Sequence, residues 1–338
     1  MRKPRNTRIM IARASLCAAR LAMLGVGAFC MVAALGFIAL GFARAAASAQ
    51  DTKPPEKKAK NRAMTWNPPN VDTKISVDAS VPCDLAAVLK TAGERMRAQE
   101  ENLPNFTADE RIQYQLISSA NMDDAYAQGF QLNNLQDAGV GTFEYLAVIS
   151  SEPGGVAIQE TRTPEKGSQA FPASSQDVGL PEMDFIFLPK LQADYDMKCE
   201  GAAKWAGQQA WLIHFQQRPD KIGHTLSFRG KEGVYNAKLK GRAWIAADSG
   251  DVIHLELSMI EPILQMHVKN WWLSLDYAPV QFHSQNVKIW LPQTVDAYAL
   301  FDARRTIVYH TFSNFLLFSV QTQQKFEKPV QPVQKPQL

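Results

Sequence analysis

Residues 240–259 read KGRAWIAADSGDVIHLELSM. Within this stretch Ile253, Leu255, Leu257 and Met259 alternate with His254, Glu256 and Ser258. A period of two places one side of a strand in a core and leaves the other in water. Residues 243–246 form a second apolar run, and Asp248-Ser249-Gly250-Asp251 between the two is turn-forming. Strand, short turn, strand makes an antiparallel hairpin.

The pattern extends in both directions. Upstream, Trp211, Ile213 and Phe215 alternate with Leu212, His214 and Gln216, and strands are predicted over 106–116 and 142–149. Further strands are predicted over 224–228, 234–240, 266–272, 287–290, 296–301 and 307–312. Short connections favour antiparallel neighbours, and no amphipathic helices separate the strands as parallel units require. One helix is expected, with Leu85, Val88, Leu89, Ala92 and Met96 on one face, Asp84 at its N-cap, and Asn102 and Pro104 at its end. Its apolar stripe needs a partner surface, and the sheet supplies one. The predicted fold class is mainly β (α+β), a curved antiparallel open sheet or half-barrel with one or two covering helices. Residues 150–181 are rich in Gly, Pro and Ser and are expected to be a flexible insertion. The apolar run Met183–Leu191 reads equally as short helix or strand.

The N-terminus points to export. Residues 1–49 hold seven Lys or Arg and no Asp or Glu, the run from Leu21 to Phe42 is uncharged, and Ala47-Ser48-Ala49 follows it. That layout is a secretory signal, with cleavage expected after Ala49. The alternative is a retained membrane anchor, since the run is long enough to span a bilayer. Either way residues 50–338 lie outside the cytoplasm, in the periplasm or secreted. Residues 50–82 and 321–338 carry most of their apolar-poor sequence around prolines, and are expected to be a disordered tether and a disordered tail. Without the signal, 29 basic groups face 33 acidic ones. A net charge near −4 with no basic stripe argues against nucleic acid as a partner. Two cysteines remain, Cys83 and Cys199, able to form one bridge in an oxidising compartment or to stay as two buried thiols.

Catalytic chemistry is not evident. The histidines show no HExxH, and there is no GxSxG or phosphate-binding loop. No acidic residue is expected in an apolar frame that would raise its pKa. No cofactor or metal site is predicted. Trp205, Trp211, Trp244, Trp271, Trp272 and Trp290 fall in or beside predicted strands, as core or as the lining of an apolar groove.

Several strings carry a resemblance: ENLPNFT at 101–107, the stretch 240–256, YAPV at 277–280, WLP at 290–292 and FLLFSV at 315–320. Together they resemble a secreted family of unknown activity described in acidobacteria. The elements at 240–256 and 290–292 are also similar to the LolA/LolB-like lipoprotein-carrier superfamily. The chain departs from the first family at Thr107-Ala108, where members often carry a cysteine, and so loses one candidate bridge partner. The second resemblance implies an open half-barrel over roughly 84–320, plugged by helices, with an apolar cavity for acyl chains. It implies a non-enzymatic carrier of a lipid, acyl chain or lipoprotein. On that reading Trp211, Ile213, Phe215, Trp244, Ile253, Leu255 and Leu257 line the cavity on the dry face. The Leu85–Met96 helix and the segment from Ser150 to Pro181 would cover it. The rival is a cell-envelope scaffold with a fully packed core and a protein partner; a hydrolytic enzyme is a third alternative. Membrane association would run through the N-terminal apolar segment.

Overall fold

Ten strands follow one another edge to edge in the order β3-β2-β1-β12-β11-β10-β9-β8-β5-β4. In chain order the elements are α1 (Leu85–Asn102), β1 (Phe106–Ser118), β2 (Gln136–Glu152), β3 (Gly155–Pro164), a 3-10 segment (Leu180–Phe187) and a short α2 (Pro189–Gln192). There follow β4 (Tyr195–Trp205), β5 (Gln208–Gln217), β6 (Leu226–Gly230), β7 (Gly233–Ala237), β8 (Leu239–Ala246) and β9 (Val252–Met259). The last three are β10 (Val268–Phe282), β11 (Val287–Phe301) and β12 (Arg304–Leu317). The computed structural model describes residues 67–118, 136–168 and 179–317, apart from Ala79, 153–154, His224, Lys231, 283–286 and Ala303. The expected signal or anchor at 1–49, residues 50–66 of the tether and the tail from 321 lie outside the described residues.

Every pairing is antiparallel, and β3 and β4 end the sheet without meeting, so it is an open curved sheet and not a closed barrel. Irregular register breaks the ladder at Thr107/Asp109, Cys199/Gly201, Trp244/Ile245, Val268/Asn270 and Asp276/Tyr277. Each extra residue bends its strand and adds local twist, which curves the sheet. Strands β10 and β11 run through Pro279 and Pro292. At both prolines the strand has only one paired neighbour, because β9 pairs only with residues 272–276 and β12 only from Thr294 onward. A residue without an N–H is tolerated there. Gly241 of β8 packs tightly against β9 and β5. A Cβ on it would lie 2.0 Å from the Glu256 carbonyl oxygen and 2.6 Å from the Phe215 ring. Gly241→Ala is therefore expected to destabilise by at least about 1–3 kcal/mol, read as a lower urea midpoint; an unchanged midpoint would show that the strands can separate freely.

The helix-covered face, called inner here, holds most of the core. Helix α1 begins as expected, with the Asp84 side chain accepting from the Ala87 amide at 3.1 Å. Its Val88, Ala92 and Met96 are buried in the same cluster as Ile213, Phe215, Leu255, Leu257, Leu273 and Leu275.

The other face corrects the expectation of a wet side. Residues 67–82 are not a free tether but a strap across it. Val71 is buried against Trp272, Tyr298 and Ile307. The Thr73 carbonyl accepts from Arg242 at 2.6 Å, and Asp72 contacts both Lys240 and His214. Asp78 pairs with Ala202 through backbone bonds of 2.7 and 3.3 Å. The chain then turns over the sheet edge at Cys83, which is disulfide-bonded to Cys199 of β4. His254, placed by alternation on the wet side, is buried. It stacks on Trp205 with centroids 3.5 Å apart, and its Nδ1 lies 2.9 Å from Asp276. Asp276 also accepts from Trp205 Nε1 at 2.8 Å and from Thr294 at 3.0 Å.

The supposed insertion is corrected too. Residues 155–164 form β3, paired with β2 from Gly155↔Glu152 to Pro164↔Phe143. Its polar Glu160 and Arg162 are buried, and this hid the strand from a hydrophobicity pattern.

Candidate functional site

The site is the inner face beneath the segment Leu180–Leu188. Gly179 adopts φ 75°, the left-handed turn glycine allows. From there the chain winds through a 3-10 run, with Pro181 at its start. Leu180, Met183, Ile186 and Phe187 insert into the core and are essentially inaccessible. The Phe187 and Tyr195 rings both meet Phe215 edge-on, at 5.9 and 5.8 Å. Gln192 of α2 donates to the Leu89 and Phe187 carbonyls at 2.9 and 2.7 Å, which ties the segment to α1. This segment, with α1, covers the inner face. The ambiguous Met183–Leu191 run is thus the plug, and the cover assigned to residues 150–181 belongs to it from Leu180 on.

Glu160 of β3 holds the start of the plug. Its carboxylate accepts from the Gly179 and Leu180 amides at 2.6 and 3.3 Å and from the Tyr145 hydroxyl at 2.5 Å. Burial raises the Glu160 pKa, against the opposing pull of Arg162 and these donors. Behind it Arg162 makes a two-pronged contact with Glu110, at 2.6 and 3.1 Å, and His310 Nδ1 lies 2.7 Å from the same carboxylate. Burial works against charge on Glu110, yet His310 and Arg162 hold it below the usual carboxylate range.

Two plug carboxyls contradict the expectation that no acid sits in an apolar frame. Asp184, between Met183 and Phe185, is fully buried, and neither oxygen has a hydrogen-bond partner. Gln99 Nε2 of α1 and the Tyr277 hydroxyl of β10 are also buried and unpartnered. Burial pushes Asp184 up to about 8, against the opposing pull of its own backbone amide and of Gln99. Glu182 is raised to about 7, first by burial and then by nearby Glu160.

Of the residues assigned to the cavity, Ile213, Phe215, Leu255 and Leu257 lie together on the inner face with no exposed surface. Trp211 is half-buried against the same core, and it also lines an open groove of about 660 Å³ beside Val77 and Ala202. Trp244 and Ile253 lie on the outer face, in a cluster with Ala210, Leu212 and Ala246. Trp244 pairs with Leu212, opposite in phase to Ile213. Ile253 is displaced by the β8–β9 bulge. Ile245 pairs with Val252 and Trp244 with His254, so Ile253 is the extra residue. One inserted residue moves a side chain to the other face. Among the described residues no group of three or more His, Cys, Asp or Glu is placed to hold a metal ion. No described helix is long and apolar enough to cross a membrane.

No protein-family model matches the chain, and no curated protein does. Solved structures resemble it distantly. One is a domain from Vibrio parahaemolyticus named for outer membrane lipoprotein sorting, at 12% identity and TM-score 0.37, covering 70% of this chain and 94% of that one. Another is a DUF1329 family protein from Desulfovibrio piger, at 10% and 0.35, covering 72% and 97%. A third is a LolA superfamily protein from Nitrosomonas europaea, at 10% and 0.30, covering 70% and 94%. These likenesses are distant, and none of the three is to the acidobacterial family that the sequence strings resemble.

Proposed function

We propose that the protein is a non-enzymatic, extracytoplasmic carrier that takes a lipid or acyl chain, free or attached to a lipoprotein, onto its inner face by displacing the plug. The observation that carries this reading is the nature of the cover. A large apolar sheet face is closed by an eight-residue 3-10 run with α1 and the short α2, not by a second sheet. The plug's own side chains supply what an acyl chain would supply, and its backbone takes no part in a strand ladder. Each cargo methylene withdrawn from water contributes about 0.8 kcal/mol, so no charged clamp is required. The Cys83–Cys199 bridge supports an oxidising compartment.

The scaffold reading has its own support, since Ile213, Phe215, Leu255 and Leu257 are wholly packed in this conformation. Titration with a fluorescent fatty acid separates the two. Wild type is expected to bind it, and Ile186→Asp, which loosens the plug, is expected to bind at least about tenfold more tightly. If neither protein binds while both remain folded by circular dichroism, the carrier reading is lost and the scaffold reading stands.

A further inference from the structure

We propose that the Leu180–Phe187 plug is a pH-responsive gate whose two carboxyls, Glu182 and Asp184, keep the inner face closed when protonated and release the segment when ionised. The inference rests on the plug reading above and adds its control. Three observations place the gate here. Asp184 is closed off from bulk solvent and neither oxygen makes a well-formed hydrogen bond to the protein, so its charged form is disfavoured there. Glu182 faces Glu160, which already holds the first two amides of the plug, so a second charge pushes the plug off its latch. The plug is an eight-residue 3-10 run, longer than such helices usually are and held by hydrogen bonds of poorer geometry than an α-helix has.

The groups around the pair offset this only in part. Asp184 meets Gln99 from α1, Tyr277 from β10 and the more distant Asp251 before β9, whose charge adds to the repulsion. Arg95 of α1 lies 3.9 Å from Asp251 and is directed to it and to the Ser249 carbonyl. Lys190 of α2 is paired with Glu100. Strand β11 contributes Ile289, Leu291 and Val295 to this core, none of which titrates. Around Glu182 stand Glu160 and, behind it, Tyr145, Arg162, Glu110 and His310, with Arg162 and His310 both engaged by Glu110.

Both carboxyls titrate above their ordinary values in the closed state, Glu182 at about 7 and Asp184 at about 8. The closed state therefore has its full advantage below the ordinary carboxylate range near pH 4. It loses that advantage as pH rises to about 7 for one group and about 8 for the other. Within its window each group raises the open fraction about tenfold per pH unit.

Amide hydrogen exchange at Leu180–Leu188, corrected for the intrinsic pH dependence of exchange and referenced to β9 and β10, measures opening with no ligand present. The expected result is an open fraction that rises well over tenfold and toward about a hundredfold per pH unit between pH 5 and 7, where both groups contribute, in the plug but not in the reference strands. Glu182→Gln with Asp184→Asn, both near-isosteric, should flatten the profile, and Asp184→Asn alone should leave a shallower slope. A flat wild-type profile, or an undiminished slope in the double variant, overturns the gate. A fluorescent fatty acid added at pH 8.5 keeps the two ideas apart. Opening without binding retains the gate and removes the carrier, while binding with a flat exchange profile does the reverse.

Discussion

Replacing Arg162 with methionine is expected to destabilise the protein by about 3–5 kcal/mol, because it strands a buried carboxylate. Arg162 and Glu110 are almost wholly inaccessible, and their two-pronged contact spans β1 and β3 through the intervening β2. His310 alone would remain to face Glu110. The measurement is the urea midpoint of the variant, with Glu110→Gln/Arg162→Met beside it. The double variant should recover part of the loss, since Glu110 then carries no charge to strand, while Glu160 still loses the nearby Arg162 and keeps its Tyr145, Gly179 and Leu180 donors. The acid response has a definite sign. Glu110 is held below its ordinary value in the folded protein, so its contribution is present above that value and lost as pH falls through the folded pKa. In Arg162→Met that depression shrinks, and the variant should lose less on acidification than wild type. A variant as stable as wild type at pH 7 would mean that water reaches Glu110.

The second large effect belongs to the disulfide. The bridge links residues 116 apart in sequence. Chain entropy alone assigns such a loop about 4–5 kcal/mol, so Cys83→Ser/Cys199→Ser should lower the melting temperature by roughly 10–20 °C in a domain of this size. The geometry says which part should suffer first. Cys83 is where the strap leaves the outer face and α1 begins on the inner one, so one bond fastens two covers to the edge strand β4. Without it, exchange should rise in residues 67–82 and in the first turns of α1 before it rises in β9 or β10. Equal melting of the reduced and oxidised protein would refute the assignment.

Much of the fold was legible because its elements obey local rules. The hairpin of β8 and β9 has an unambiguous turn, and α1 has a cap residue and a stripe. What was hidden depends on contacts made far away in the chain. Strand β3 presents Glu160 and Arg162 inward, and they are tolerable there only because Tyr145 and Glu110 await them on neighbouring strands. Strand β4 was missed, and β11 was split in two at Pro292, because neither a bulge nor an unpaired strand edge has a sequence signature. The strap is held by one apolar residue, Val71, and by polar contacts to Arg242 and Lys240 that composition cannot suggest. At the site, alternation placed Ile213, Phe215, Leu255 and Leu257 together. It misplaced Ile253 by one bulge, and it put Trp244 among residues of the opposite phase. The plug carboxyls did leave a signal, an Asp between Met183 and Phe185-Ile186-Phe187, in a run that period alone could not assign.

The strand order also bears on how the molecule is made. The last described strand in chain order, β12, does not finish an edge but fills the middle of the sheet, between β1 and β11. It pairs with β1 from Phe106↔Leu317 to Ser118↔Arg304. A chain that emerges N-terminus first can assemble β1 to β3 as one meander, and β4, β5 and β8 to β11 as a second block with β6 and β7 as a separate hairpin. It cannot join them until its final described residues arrive. Until then β1 and β11 each offer an open, apolar-flanked edge, the kind of surface that pairs with the wrong strand. Contacts this distant in sequence also form slowly. The newly made protein thus passes through an interval in which its two halves are correct and its whole is not, and a chaperone that shields strand edges would act on it there.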